Sequence, residues 1–326
     1  MPQKSRLHYC LRRPEFFMLD LQRSNRRMTE LLNALTTGEG TRPSILDGVK
    51  LLRSDRPLPR MPVFYEPSIV IVGQGRKRGY LGSDVYIYDA HNYLVLSVPM
   101  PFECETEIAP KGPLLGVSIR VDLAVLGELL MKMDRRPLSP DAENRHGMYS
   151  TPLDPALSEA TVRLLESLRS PVDAQVLGPQ IVREIVYRVV RGERGNSLRA
   201  LVALNGRISQ IQSVLTSMQT NYFQAVDVTS LAGNAGMSVS AFHHNFKAVT
   251  ATSPLQYLKT IRLHKARMLM VQEGIGAGAA ADRVGYESTS QFSREFKRFF
   301  GTTPLEEADR MRSTLGLDSS AIARIE

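Results

Sequence analysis

Between Pro57 and Val121 the apolar positions come in short runs rich in Val, Ile and Tyr. VFYEPSIVIVGQGRKRGYL, DVYIYDAHNYLVLSVPMPFECETEI and LLGVSIRV are divided by Gly, Pro and an Asp-Ala-His-Asn turn. Runs of this kind predict strands, and several at this spacing predict an antiparallel barrel or sandwich. Alternation puts Tyr86 and Tyr88 on one strand face and Ile87 on the other. In GQGRKRG, the glycines Gly73, Gly75 and Gly79 with Arg76, Lys77 and Arg78 read as a hairpin turn with a cationic tip. Such a tip is either solvated or turned toward the C-terminal domain or an anionic effector. It is not a phosphate loop, because the GxxxxGK[ST] spacing is missing and no helix follows.

After Asp122 the period changes. LAVLGELLMKM, DPALSEATVRLLESLRS and QVLGPQIVREIVYRVVRG carry apolar residues at three- and four-residue steps, as amphipathic helices do, with Leu177, Ile181, Ile185 and Val189 forming one stripe. The stretch from Arg136 to Pro155 is punctuated like a loop. From Leu198 to Arg312 the text is helical with tight turns.

That helical part contains a repeat. GMSVSAFHHNFKAVTATSP and GYESTSQFSREFKRFFGTTP place Phe242, Phe246, Lys247 and Pro254 at the positions of Phe292, Phe296, Lys297 and Pro304. Two copies are too few for a solenoid, so the units are expected to perform one task twice. In the first, Ser238 caps a helix whose Val239, Phe242, Phe246 and Val249 pack inward and whose Ser240, His243, His244 and Lys247 face out. In the second, Ser288 and Gln291 have capping-box spacing. There Phe292, Phe296 and Phe299 face in, while Thr289, Ser290, Ser293, Arg294 and Lys297 face out. Glu295 is the one carboxylate in either outer helix, so both faces suit base edges and phosphates in a major groove. Between the units, Ser253-Pro254-x-Gln256 starts a long helix with an apolar side at Leu255, Leu258, Ile261 and Leu269. From 254 to 271 it spans roughly 27 Å, near the ~34 Å that separates successive major-groove faces.

Composition narrows the possibilities. The 326 residues are 43% hydrophobic and 23% charged, ordinary for about two globular domains. No apolar stretch approaches the ~20 residues of a membrane span, and the N-terminus is not built as a secretory signal. Cys10 and Cys104 make neither a disulfide framework nor a zinc spacing, which fits a cytoplasmic protein. The formal charge of +8 is concentrated at the two ends and favours nucleic acid as partner. A cupin-type enzyme would need paired histidines and a carboxylate on neighbouring strands, whereas only His91 lies in the strand region. No catalytic, metal or cofactor site is expected. A nonspecific DNA-compacting protein would carry charge without a patterned second helix.

Residues 207–312, through GYESTSQFSREFKRFFGTTP, RLHKARMLM and SPLQYL, resemble the DNA-binding domain of AraC/XylS-family transcription regulators. Residues 57–121, through MPVFYEPSIVIVGQGRKRGYLG and YDAHNYLVLSVPMP, resemble the N-terminal regulatory domain of one subgroup. The resemblance implies an α+β fold: a cupin-like antiparallel β-barrel, a helical linker, and an all-α domain of two helix-turn-helix units joined by a long helix. It implies bases touched by Ser240, His243 and His244 in the first unit and Thr289, Ser290, Ser293 and Arg294 in the second. Partners implied are promoter DNA, RNA polymerase, a small-molecule effector and a second copy of the chain in a homodimer. An effector pocket is expected at Tyr65, Tyr86, Tyr88 and Tyr93. Ala251 stands where the family usually has glycine, and GIGAGAAADRVGY is glycine-rich enough to suggest an irregular helix. The expected domains are a basic extension (1–27), the barrel (28–135), the linker (136–200), the DNA-binding domain (201–312) and a tail (313–326).

Overall fold

A computed structural model describes residues 14–110, 112–133, 147–192, 194–196, 198–199 and 207–315. Most of the expected tail lies outside them, as does much of the 136–147 segment. The N-terminal domain opens with helix α1 (Pro14–Leu35). Ten strands follow: β1 (Gly40–Pro43), β2 (Val49–Ser54), β3 (Leu58–Tyr65), β4 (Ser68–Gln74), β5 (Arg76–Leu81), β6 (Asp84–Asp89), β7 (Asn92–Leu96), β8 (Met100–Glu107), β9 (Leu114–Arg120) and, later, β10 (Met148–Pro152). All pair antiparallel in the order β1-β2-β9-β4-β7-β6-β5-β8-β3, with β10 added on β7. The β6–β7 step is the Asp-Ala-His-Asn turn, where the Asp89 carboxylate accepts from the backbone N–H of His91 and Asn92.

Two strands show why the sheet curls around a core. In β8 the even positions Met100, Phe102, Cys104 and Thr106 are buried and the glutamates between them are not, the alternation of a strand with one wet face. In β4 nearly every residue is buried, because α1 covers its outer face. Gly73 allows that approach: a Cβ there would stand 3.1 Å from Leu32 Cδ1, and Thr29 donates to the Gly73 carbonyl at 3.0 Å. Leu21, Met28, Leu31 and Leu32 of α1 are buried in the same core. The boundary expected after residue 27 therefore falls inside a helix that the domain needs.

Three strands lie outside the span read as sheet. β1 and β2 precede Pro57, and β10 occupies part of the expected 136–155 loop, its five residues paired with β7. GQGRKRG is not a hairpin tip. Arg76–Leu81 is strand, paired with β6 on one side and β8 on the other.

Helices α2 (Leu123–Lys132), α3 (Pro155–Ser167), α4 (Pro171–Val176) and α5 (Gly178–Arg191) pack against the N-terminal domain: Leu126, Leu157, Leu164 and Val189 are buried in its core, and α3 lies on α1. The stripe on α5 holds at Ile185 and Val189, but Leu177 precedes that helix as the cap residue between α4 and α5 and is exposed. The C-terminal domain comprises α6 (Arg207–Thr220), α7 (Val228–Asn234), α8 (Val239–Thr250), α9 (Pro254–Glu273), α10 (Ala277–Arg283), α11 (Thr289–Phe300) and α12 (Pro304–Leu315). In the glycine-rich segment Gly274, Ile275 and Gly276 stay outside any helix and Gly276 gives no side-chain cap, while Ala277–Arg283 forms the short helix α10, which ends in hydrogen bonds at Val284.

Ala251 occupies a position whose backbone favours glycine. It ends α8 at φ 59°, the left-handed conformation that Gly301 adopts at the end of α11. A side chain is strained in that region and glycine is not. Ala251→Gly is expected to stabilise the protein by about 0.5–1 kcal/mol, the relief of strain exceeding the added freedom of the unfolded chain. The midpoint of urea unfolding measures this, and an unchanged or lower midpoint would contradict it.

Candidate nucleic-acid interface

The two repeats fold alike down to their turns. In α7–α8, Met237 N–H donates to Ala232 O at 2.9 Å and Gly236 N–H to Gly233 O at 2.9 Å. In α10–α11, Tyr286 N–H donates to Ala281 O at 3.0 Å and Gly285 N–H to Asp282 O at 3.1 Å. Ser238 and Ser288 then cap the outer helices by accepting from the N–H of Ala241 and Gln291. The Gln291 amide does not reach back as a capping box would; it donates to Glu295 at 3.2 Å.

Phe242 and Phe246 of α8 are buried with rings 5.5 Å apart, and Phe292 and Phe296 of α11 repeat the arrangement at 5.5 Å. Their burial turns Ser240, His243, His244, Lys247, Thr289, Ser290, Arg294 and Lys297 outward, all exposed, with Ser293 half-buried. Two expected core positions are instead at the surface: Val239 is 41% exposed at the start of α8, and Leu255 is 51% exposed in the first turn of α9. Phe299 is only partly buried.

Glu295, the carboxylate on the second outer face, points along it rather than out. Lys259 of α9 reaches it at 3.0 Å, and the Tyr286 hydroxyl donates to its other oxygen at 2.9 Å. Burial opposes its ionisation, but the bonds from Lys259, Gln291 and Tyr286 outweigh it and lower its pKa. The acid thus holds α11 on α9 and leaves the cationic face intact.

Sequence reading overlooked Arg262 of α9. Its guanidinium donates to three carbonyls: Tyr222 at 2.7 Å, Gly285 at 2.9 Å and Gln224 at 2.9 Å. The first and third belong to the loop ahead of the first unit, the second to the turn of the second unit. Gly285 lies so close to this loop that a Cβ would sit 2.1 Å from Phe223 O. One side chain in the 20-residue rod, about 30 Å long, therefore ties both units to it.

The barrel rests on the side of this domain away from the outer helix starts. Tyr257 of α9 donates to Pro99 O at 2.9 Å, and Gly147 N–H donates to Val249 O at 3.0 Å. His264 is buried between Phe64 of β3 and Phe299 and Phe300 of α11. Burial, with the Arg267 cation beside it, pushes its pKa well below the ordinary value, so the ring is neutral at this contact.

The four tyrosines expected to frame a pocket do not converge. Tyr65 and Tyr88 meet inside the barrel, where the Tyr88 hydroxyl is 3.3 Å from the Cys104 sulfur. Tyr93 lies buried near Tyr149 and Asp154, and burial raises its pKa. Tyr86 is half-buried near Asp84 and Arg194, with its pKa pushed by burial to about 12. Among the described residues, no group of three His, Cys, Asp or Glu side chains is placed to hold a metal. No described helix is long and apolar enough to cross a membrane.

Two family models match the chain: an AraC-type transcriptional regulator N-terminus over residues 45–197 and a helix-turn-helix domain over residues 231–310. The RCS-specific HTH-type transcriptional activator RclR of Escherichia coli is 36% identical over 103 residues, 32% of this chain and 36% of that protein. The HTH-type transcriptional activator RhaS of Escherichia fergusonii is 25% identical over 170 residues, 52% of this chain and 60% of that protein. The chain thus spans less than two thirds of the curated relatives it matches. Among solved structures, unsaturated fatty acid bound ToxT of Vibrio cholerae superposes with a TM-score of 0.56 at 13% identity, covering 80% of this chain and 93% of that one. This last likeness shows a shared fold.

Proposed function

We propose that this chain, which belongs to the AraC-type transcription regulators, binds promoter DNA sequence-specifically through α8 and α11. The observation that carries this reading is the pair of matched, capped, acid-poor outer faces on helix-turn-helix units clamped to one rod. Lys247, Lys297 and neighbouring cations supply salt-dependent affinity to phosphates. Ser240, His243, His244, Thr289, Ser290, Ser293 and Arg294 supply base choice. The barrel senses an effector and passes its state on through the Tyr257–Pro99 and Phe64–His264 contacts, provided the ligand binds one arrangement better than the other. A homodimer, contact with RNA polymerase, action in the cytoplasm and the absence of catalysis complete the proposal.

Selection of binding sites from random duplexes tests it. Specific sites are expected to bind about a thousandfold or more tighter than bulk DNA at physiological salt. Uniform affinity across sequences would contradict it. Arg294→Ala is expected to cost about 1–3 kcal/mol on the selected site and to relax choice at one base step. An equal loss on all sequences would make Arg294 a phosphate contact instead.

A further inference from the structure

The seam between the barrel and the DNA-binding domain encloses one titratable ring. His264 of α9 is 6% exposed, with ring centres of Phe64 at 6.1 Å, Phe299 at 5.5 Å and Phe300 at 5.3 Å. Phe64 comes from β3 of the barrel, and the other two end α11. Arg267, one turn along the rod, brings its Nη2 to 3.4 Å from His264 Nδ1. A guanidinium only donates, so Nδ1 accepts and the ring proton sits on Nε2. Nε2 is buried and has no hydrogen-bond partner among the described residues.

A second proton would have to enter at Nδ1, facing the Arg267 cation. Arg267 is held by Glu307 of α12 at 3.2 Å and lies over the Phe300 ring at 4.6 Å. Arg310 shares the same buried carboxylate, so one acid already serves two cations. Charged groups on the other packed elements are engaged elsewhere. On β3, Arg60 pairs with Glu103 of β8, and on β8 Glu105 accepts from the Tyr80 hydroxyl at 2.7 Å. On α11, Glu295 is bound by Lys259, while Lys297 and Arg298 are exposed. β3 and α11 thus meet the imidazole through phenylalanine rings, which give an imidazolium no counter-charge. An unpaired cation is costly in such a place.

We infer that His264 is an acid-sensitive latch, whose protonation detaches β3 of the barrel from α9 and from the end of α11. The inference concerns the seam itself and stands whether or not α8 and α11 read sequence. In the closed arrangement burial, and then Arg267, keep the ring neutral. An imidazole released to water takes up a proton below about pH 6.5. Closure is therefore fully favoured above that pH. It weakens as the pH falls below it, by up to about tenfold for each pH unit, until the closed form itself is protonated. The linkage is reciprocal: loosening the barrel contact must raise the ring's affinity for protons.

Two measurements on the full chain, between about pH 5 and 8, test this. In the first, nuclear magnetic resonance follows the ring signal of His264, assigned by its loss in His264→Leu. It is expected to titrate well below the ordinary midpoint, and Phe64→Ala is expected to move that midpoint up. The second follows hydrogen exchange of the Gly147 amide, which bridges the seam to Val249 O at 3.0 Å. Its protection, corrected for intrinsic exchange, is expected to fall by up to about tenfold per pH unit below about 6.5 in the native chain. In His264→Leu it is expected to stay level, and amides of β4 are expected to stay protected in both. Should His264→Leu not fold, His264→Gln takes its place, and Phe64→Leu likewise replaces Phe64→Ala. An ordinary His264 midpoint in the native chain would overturn the latch. So would a midpoint that ignores the Phe64 substitution, or an equal loss of Gly147 protection without the histidine.

Discussion

Replacing Arg262 with alanine is expected to lower stability by about 3–5 kcal/mol and to cost specific DNA binding more than roughly tenfold in the protein that remains folded. Each bond from a charged donor contributes about 1.5–3 kcal/mol, and the bonds here share one guanidinium, so their sum is not additive. The orphaned groups are carbonyls of Tyr222, Gln224 and Gly285, which hold the loop before the first unit and the turn of the second against α9. Lysine at this position presents a point charge without the planar fork and is expected to recover only a small part. Urea unfolding and duplex titration measure the two effects. Full DNA affinity in Arg262→Ala would mean that the units are positioned by something other than this clamp.

Phe296→Ala is expected to cost about 3–5 kcal/mol, as large cavities do, and to act locally. The second unit has its own small core, in which Phe296 packs with Phe292, Leu263, Met270 and Ala281. The first unit shares the core of the barrel: Phe246 meets Tyr257 at 5.5 Å, and Tyr257 bonds the barrel at Pro99. Hydrogen exchange in Phe296→Ala is therefore expected to show α10–α11 opening first while the sheet stays protected. Phe246→Ala should instead loosen both domains. A single transition of unchanged breadth in both variants would contradict this division.

The features that were legible in the chain are those that local chemistry determines. Serines 238, 253 and 288 announce helix starts, and phenylalanines spaced by four announce the buried arcs of α8 and α11. What escaped depends on neighbours distant in sequence. The run Arg76-Lys77-Arg78 is uniformly cationic, so charge hides which residue faces inward; only pairing with Tyr88 and Thr106 reveals it. Met148–Pro152 has no long apolar run and becomes a strand because β7 offers it an edge. Residues 14–27 fall within the stretch 1–27 expected as a basic extension, yet the helix they begin carries Met28 into the core. Arg262 sat within a recognised motif, but its three acceptors lie 23 to 40 residues away.

The central claim is that two outer helices read DNA together from one face. Hydroxyl-radical and methylation-interference footprints on a selected site test this most directly. The account expects two major-groove patches on the same side, centred about 10–10.5 base pairs apart, with the patch assigned to α11 lost in Phe296→Ala. A single patch, or two on opposite sides of the duplex, would contradict it.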